Sequence, residues 1–390
     1  MRLVSGTVYA LSIPFVEAFA HSAAGRTRCD SVVVRVVDDA GTEGFGEGVA
    51  RPSVTGETVP GVIDHLGRVL WPALVDRELV CLRSEADLYA LDAAIPGREV
   101  AGWIADGASR AALELAIVDC ALRRQKWSLG RLLKPRRHRL VYSGVIPEGS
   151  AEETRRRARQ MKLVGLGQIK VKLGGGDDVE RVRAVRETVG PEVSLRVDAN
   201  GAWTPARALA VLRAIAPFAI AAVEQPLGRG AIDDLRRLKD ASPIPIMVDE
   251  SLVTLADAEA LITGCAADYF NVRVSKHGGL ARSLEIARWA GEVGIGVQIG
   301  CHVGETAILS AAGRHLAATL DEVLFVEGSY GSLLLVEDIA AEAVRFGHGG
   351  VAPVLTGPGL GIRVLEERLR RLAHTIVELG SNGGSSCRRS

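Results

Sequence analysis

The sequence predicts an α/β protein, an eight-stranded (β/α)8-type barrel with an α+β cap on its N-terminal side. Three observations predict it. First, between residues 168 and 273, five short apolar runs each end in charge or carry a charged tip. They are Gln168–Lys172, Val193–Asp198, Ile220–Glu224, Ile244–Asp249 and Tyr269–Arg273. The tips at 172, 198, 224, 249 and 273 recur every 24 to 26 residues, the length of one strand, one helix and two loops. Second, Val141–Ile146 before this series, and Gly296–Gly300 and Leu324–Glu327 after it, bring the count of strand-like runs to eight. Third, residues 1 to about 50 carry β-branched runs separated by turn chemistry, notably Asp38-Asp39-Ala40-Gly41, and read as an antiparallel meander.

Taken in order, Val4–Ile13, Asp30–Val37 and Thr42–Val49 are the meander strands. The segment Pro14–Arg28 between the first two is too long for a tight hairpin and reads as a functional or mobile loop containing His21. Gly46-Glu47-Gly48 through Glu57 reads as a second turn-rich loop. Helical patterns follow at Val59–Leu70, Ser84–Asp92 and Ala105–Arg124. The last is apolar on too many sides for a single stripe, so it is packed on most sides. The expected organisation is a cap over 1–133, a barrel over 134–353, a segment over 354–380 that returns to the cap through a helix at Val364–Leu379, and a disordered Ser/Gly-rich tail over 381–390.

Composition narrows the function. Lys plus Arg and Asp plus Glu both number 47, a formal net charge of zero, which gives no electrostatic case for nucleic acid. Six scattered cysteines, without a Cys-x-x-Cys pair, read as reduced thiols. With no signal-peptide pattern and no run long enough to span a membrane, the expectation is a cytoplasmic protein. Gly174-Gly-Gly-Asp-Asp178 lacks the lysine of a phosphate loop and reads as a strand-to-helix turn.

At the C-terminal mouth of a barrel, where chemistry sits, Asp198, Glu224 and Asp249 would converge from three neighbouring strands. Alone, each could be a helix cap or a lysine's partner. Together they repel one another, and a hard divalent cation, Mg or Mn, resolves the repulsion. Lys170 and Lys172, two residues apart, share one face of the preceding strand. Lysine beside carboxylate-held metal is a site for proton abstraction from a carbon acid. Asn200 shares the face of Asp198. Glu250, after Asp249, points elsewhere in a regular strand and reads as a supporting partner for a lysine.

The motifs Lys170-Val-Lys172, Asp198-Ala-Asn200, Glu224-Gln-Pro226, Asp249-Glu-Ser251 and Asn271-Val-Arg273-Val-Ser-Lys276-His-Gly-Gly279 resemble the enolase superfamily, within it the muconate lactonising enzyme and mandelate racemase-like subgroups. The resemblance covers nearly the whole chain. It implies a modified barrel with a capping domain and one Mg or Mn ion per subunit on Asp198, Glu224 and Asp249. It also implies a small carboxylate substrate and a homo-oligomer, dimer or octamer. Lys172 becomes the proton-transfer residue, with Lys170 lowering its pKa and binding substrate carboxylate. A loop equivalent to the one around His21 closes over substrate in the family, leaving His21 as a ligand contact or a surface histidine.

Arg273 departs from the pattern, because the family usually has lysine there. A guanidinium is a poor base; it is suited to holding a carboxylate bidentately or to stabilising the enolate electrostatically. That implies one-base chemistry at Lys172, with lactonisation of a muconate-like diacid as the leading reaction. The alternatives are a syn elimination, such as acid-sugar dehydration or succinylbenzoate formation, racemisation of an N-substituted amino acid and, more remotely, a non-catalytic barrel. Lys276 falls on the wrong face of a regular strand to replace a lysine at 273. Cys301 and His302 follow the seventh strand and line the pocket, with Glu305 behind them. Glu327 ends the eighth. The Asp-x-Asp pair of dipeptide epimerases is missing there, which counts against a dipeptide substrate.

Overall fold

The computed structural model describes residues 1–21, 24–97, 99–100, 103–104, 106–380 and 385–388. In the N-terminal region the strands are β1 (Leu3–Leu11), β2 (Pro14–His21), β3 (Ala24–Arg28), β4 (Ser31–Asp38), β5 (Glu43–Val49), β6 (Glu99–Val100) and β7 (Trp103–Ile104). The short β8 (Arg139–Val141) precedes the barrel strands. These are β9 (Gly144–Ile146), β10 (Gln168–Lys172), β11 (Ser194–Asp198), β12 (Ile220–Glu224), β13 (Ile246–Val248), β14 (Tyr269–Val272), β15 (Gly296–Ile299) and β16 (Phe325–Val326). β17 (Val351–Pro353), β18 (Ala373–Leu379) and β19 (Ser385–Arg388) complete the list.

β9 to β16 form one parallel sheet in sequence order. A parallel bridge from Tyr142 to Val326 and the bond from Ser143 N to Val326 O (2.8 Å) bring its two ends together. Lys170 pairs with Arg196 and Lys172 with Asp198, and Asp198 in turn with Glu224. In-register pairing of this kind sets the charged tips side by side at one end. Below them, Ala222, Met247 and Phe325 fill the interior.

The cap sheet runs β19-β18-β1-β4-β5. The helix Gly107–Arg124, buried from Gly107 to Leu122, lies directly on β5. Gly44, Gly46 and Gly48 alternate along that strand and face the helix residues Ala116, Ala112 and Ala108. A Cβ at these glycines would stand 2.2, 2.0 and 1.9 Å from the carbonyl oxygens of those three alanines. The strand's period of two meets the helix's period of four, and only glycine permits so close an approach. Gly46–Gly48 therefore belongs to a strand, and the turn-rich loop begins only after Val49.

Three buried carboxylates cap helices, the first within the cap and the other two from cap to barrel. Glu57 accepts from Ala108 N (2.8 Å). Glu114 accepts from Ala281 N (3.1 Å), at the start of the helix Leu280–Glu292. Glu47 accepts from Thr306 N (2.9 Å) and Leu309 N (3.0 Å), at the start of the helix Ala307–Thr319. An anion at a helix N-terminus satisfies free N–H groups and complements the dipole.

Three further expectations are corrected. Pro14–Arg28 is a two-stranded hairpin rather than an open loop, since Phe15, Val16 and Phe19 favour extended chain. The helix expected over Val364–Leu379 covers only Glu366–Leu372; the β-branched Thr375-Ile376-Val377 continues as β18, antiparallel to β1. Of the tail expected to be disordered, Ser385–Arg388 pairs with β18 as β19, and 381–384 and 389–390 lie outside the described residues.

Candidate functional site at the barrel mouth

The strand tips bring together the residues that the sequence singled out. Lys170 Nζ lies 3.0 Å from Glu224 Oε2, 2.8 Å from Glu327 Oε2 and 3.3 Å from Asp198 Oδ2. Lys172 Nζ donates to Asp198 Oδ2 (2.6 Å) and to Asn200 Oδ1 (2.8 Å). Arg273 Nη2 reaches Glu224 Oε1 (3.4 Å) and forms an ion pair with Asp249. Asn200, whose φ of 44° lies in the left-handed region that Asn tolerates, turns its amide to donate to Glu250 Oε1 (2.9 Å). Glu250 thus joins the site, and its partner is this amide rather than the lysine expected; the strand ends at Val248, so alternation no longer governs its direction.

Asp198, Glu224 and Asp249 are fully buried, and the electrostatics of the site follow from who stands next to them. Burial opposes charge on Lys170, yet Glu224, Glu327 and Asp198 hold its pKa well above the ordinary lysine value. Burial likewise disfavours charge on Glu224, but Lys170 and Arg273 pull its pKa far down. Asp198 is raised by burial and by neighbouring Glu224. Burial opposes charge on Arg273 too, but Asp249 and Glu224 outweigh it, and its pKa rises above the ordinary value for arginine. Arg273 is a fixed cation bound to carboxylates of the protein itself, which argues against the first expected role, a free clamp for a substrate carboxylate, and leaves the second, electrostatic stabilisation.

Lys276 is a further correction here. Chain alternation placed it on the wrong face, but a helical turn, Val274–His277, begins directly after Arg273. Its Nζ returns to Asp249 Oδ1 (2.8 Å) and Asn271 O (2.8 Å), fully buried.

Among the described residues no three His, Cys, Asp or Glu side chains stand close enough together to hold a metal ion. Cations bridge the carboxylates instead. One ammonium touches both Asp198 and Glu224, and one guanidinium touches both Glu224 and Asp249. Each neighbouring pair is therefore within reach of a common cation, and the donor set is wholly carboxylate oxygen, the chemistry of a hard divalent ion.

Several residues escaped sequence reasoning. Arg196 Nη2 binds Glu327 Oε1 (2.6 Å), and its guanidinium lies over Phe325, 4.4 Å from the ring centroid. Asn271 Nδ2 donates to Glu224 Oε1 (2.7 Å) and Gln298 Nε2 to Glu224 Oε2 (3.2 Å). A signal existed: Arg196 and Asn271 each stand two residues before a charged tip, on the inward face. Gln225 staples β12 to the next loop, accepting from Asp249 N and Ser251 N and donating to Ser251 Oγ.

A cavity of about 350 Å³ opens beside these groups, lined by Lys170, Lys172, Arg273, Cys301, His302, Glu305, Glu327 and Tyr330. Burial, then Glu305 and Glu327, push the Cys301 thiol well above its usual range. Arg157 also lines the cavity and donates to Glu17 of β2 (2.8 Å). The side chain of His21 lies outside the described residues, although its backbone ends β2.

A parallel barrel under an antiparallel cap, with carboxylates and lysines meeting at consecutive strand tips, defines an enzyme of the enolase superfamily. The chain belongs to the Enolase C-terminal domain-like family, which matches residues 153–368. It is 30% identical over 382 residues to the N-succinyl-L-Arg/Lys racemase of Bacillus cereus, covering 95% of this chain and 98% of that relative. The crystal structure of that racemase superposes with a TM-score of 0.88 over 97% of this chain and all of the other, at 28% identity. The chloromuconate cycloisomerase of Cupriavidus pinatubonensis is 29% identical over 90% of this chain and 92% of its own. A dipeptide epimerase from Cytophaga hutchinsonii, solved with Mg and D-Ala-L-Val, superposes with a TM-score of 0.86 at 26% identity over 97% of this chain and all of its own. Among the described residues no helix is long and apolar enough to cross a membrane.

Proposed function

We propose that this enzyme performs one-base enolate chemistry on a small carboxylate, with Lys172 as acid and base, and that the reaction is lactonisation of a muconate-like diacid. The observation that carries this reading is Arg273, bound to Asp249 and Glu224 and always protonated. Proton transfer at both faces of a planar intermediate needs a second base, and this position supplies none.

Asp198, Glu224 and Asp249 are the residues that would hold a divalent ion, Mg or Mn, one per subunit. When bound, such an ion supplies Lewis-acid stabilisation of the enolate charge. Lys172, at the cavity wall, delivers its proton to the enolate carbon. Asn200 and Asp198 fix the ammonium in place. Lys170 stays charged and adds positive potential beside the substrate carboxylate. Glu327 is occupied by Lys170 and Arg196, so the mouth offers no free carboxylate at the eighth strand for a substrate ammonium. An anionic or neutral substrate suits this lining. A homo-oligomer remains part of the proposal, carried over from the family resemblance.

The test is loss of the ultraviolet absorbance of cis,cis-muconate with added Mg, by wild type and by Lys172→Ala. Turnover by the wild type alone supports the reading; turnover by both sinks the role of Lys172. The likeness to the N-succinyl-L-Arg/Lys racemase favours a second reading, racemisation of an N-acyl amino acid. Exchange of the α-proton for solvent deuterium in N-succinyl-L-lysine, with inversion and without muconate turnover, would select it.

A further inference from the structure

Glu305 follows β15, on the rim of the cavity that Lys172 and Arg273 also line. Its Oε1 is fixed by the backbone N–H of His302 at 2.6 Å. Among the described residues its Oε2 makes no hydrogen bond, and Glu305 lines the cavity. No ion pair reaches Glu305 among the described residues. The charged and titratable groups around it are already engaged. Glu47 of β5 caps Thr306 and Leu309. Arg51 donates to Ala50 O and Val303 O. Arg273 is held by Asp249 and Glu224. Cys301, Glu327 and the ring of His302 complete the surroundings.

We propose that Glu305 is a specificity-determining residue: it presents a carboxylic-acid O–H from Oε2 to an acceptor at the far end of the substrate, the second carboxylate of a diacid. The proposal rests on the reading of the substrate as an anionic carboxylate. Burial, then the nearby negative charge of Glu47, raises the Glu305 pKa to about 8, against the lowering effect of the His302 N–H, Arg273 and Arg51. The acid is therefore mostly neutral at pH 7, and donates to a carboxylate that an ionised Glu305 would repel. A site built to donate also rejects an analogue that has nothing to accept.

The experiment compares binding of cis,cis-muconate and of hexadienoate, in which a methyl group replaces the second carboxylate, to the Mg-supplemented full chain. Wild type should favour muconate by about 10- to 100-fold, the range for a hydrogen bond to a charged group. That preference should fall as pH rises through about 8. Glu305→Gln keeps a donor and should keep the preference while losing the pH dependence. Glu305→Leu should lose the preference. A ligand-free measurement runs beside it. A carboxyl with a raised folded-state pKa costs stability as pH rises from 4.5 through about 8, so the Tm of Glu305→Gln should gain on wild type across that window. A Tm difference independent of pH, or a Glu305→Leu variant that still prefers the diacid, overturns the proposal. Muconate turnover without discrimination sinks this proposal alone; discrimination without turnover sinks only the reaction.

Discussion

The two halves of the barrel mouth solve opposite problems. On the β10–β14 side, Asp198, Glu224 and Asp249 are buried and matched by Lys170, Lys172, Arg273 and Lys276. On the side after β15 and β16, buried Glu305 and half-buried Cys301 and Tyr330 retain their protons. Burial acts on both. Where a counter-charge lies within about 3 Å, the ions survive; where none does, the groups stay neutral. The charged half is equipped to polarise and move protons, and the neutral half to sort what enters.

Mutations should separate the halves by size and kind of effect. Lys172→Ala should lower turnover by about 10³-fold, within the range for a positioned acid–base group, with an unchanged circular dichroism spectrum; turnover within about tenfold of wild type would remove Lys172 from the chemistry. Glu224→Leu leaves Lys170 and Arg273 short of a partner and Asn271 and Gln298 without an acceptor. Urea unfolding at neutral pH should show a loss of about 3–5 kcal/mol. Glu305→Leu, on the neutral half, strands only one N–H and should cost about 1 kcal/mol in the same assay. Equal losses for these two would erase the distinction between the halves. The smallest effect belongs to Arg157→Ala, at the rim. Its pair with the mostly exposed Glu17 is screened by solvent, so its loss should read only as a small Tm shift that salt in the wild type reproduces.

The charged half was readable in the sequence because strand pairing in register turns a spacing of 24 to 26 residues into neighbours in space. Asp198, Glu224, Asp249, Lys170 and Lys172 announce themselves by ending apolar runs. What failed is where the chain stops being regular. Lys276 comes back to Asp249 because a helical turn replaces the strand after Val272, and alternation cannot foresee that. Glu250 and Asn200 meet through loop conformations just past two strand ends. The neutral half carries no spacing signal, since Cys301, His302 and Glu305 sit on an irregular segment. The C-terminal strand β18 was hidden by the strong helical start at Glu366–Leu372; its pairing with β1 depends on residues more than three hundred positions away.

That pairing has a consequence for synthesis on the ribosome. β1 is flanked by β4 on one side and by β18 on the other, so this strand, made before the barrel, obtains its second neighbour only when residues 373–379 have been made. Domains generally fold from the N-terminus as they appear, but this cap must wait, half-built, while the entire barrel is translated. During that interval β1 presents an unpaired edge, with Val8, Tyr9, Ala10 and Leu11, all buried in the finished protein, near open backbone. Translation speed through the barrel thus sets how long the nascent chain carries an adhesive edge, and a C-terminal truncation before Ala373 would make that transient state permanent.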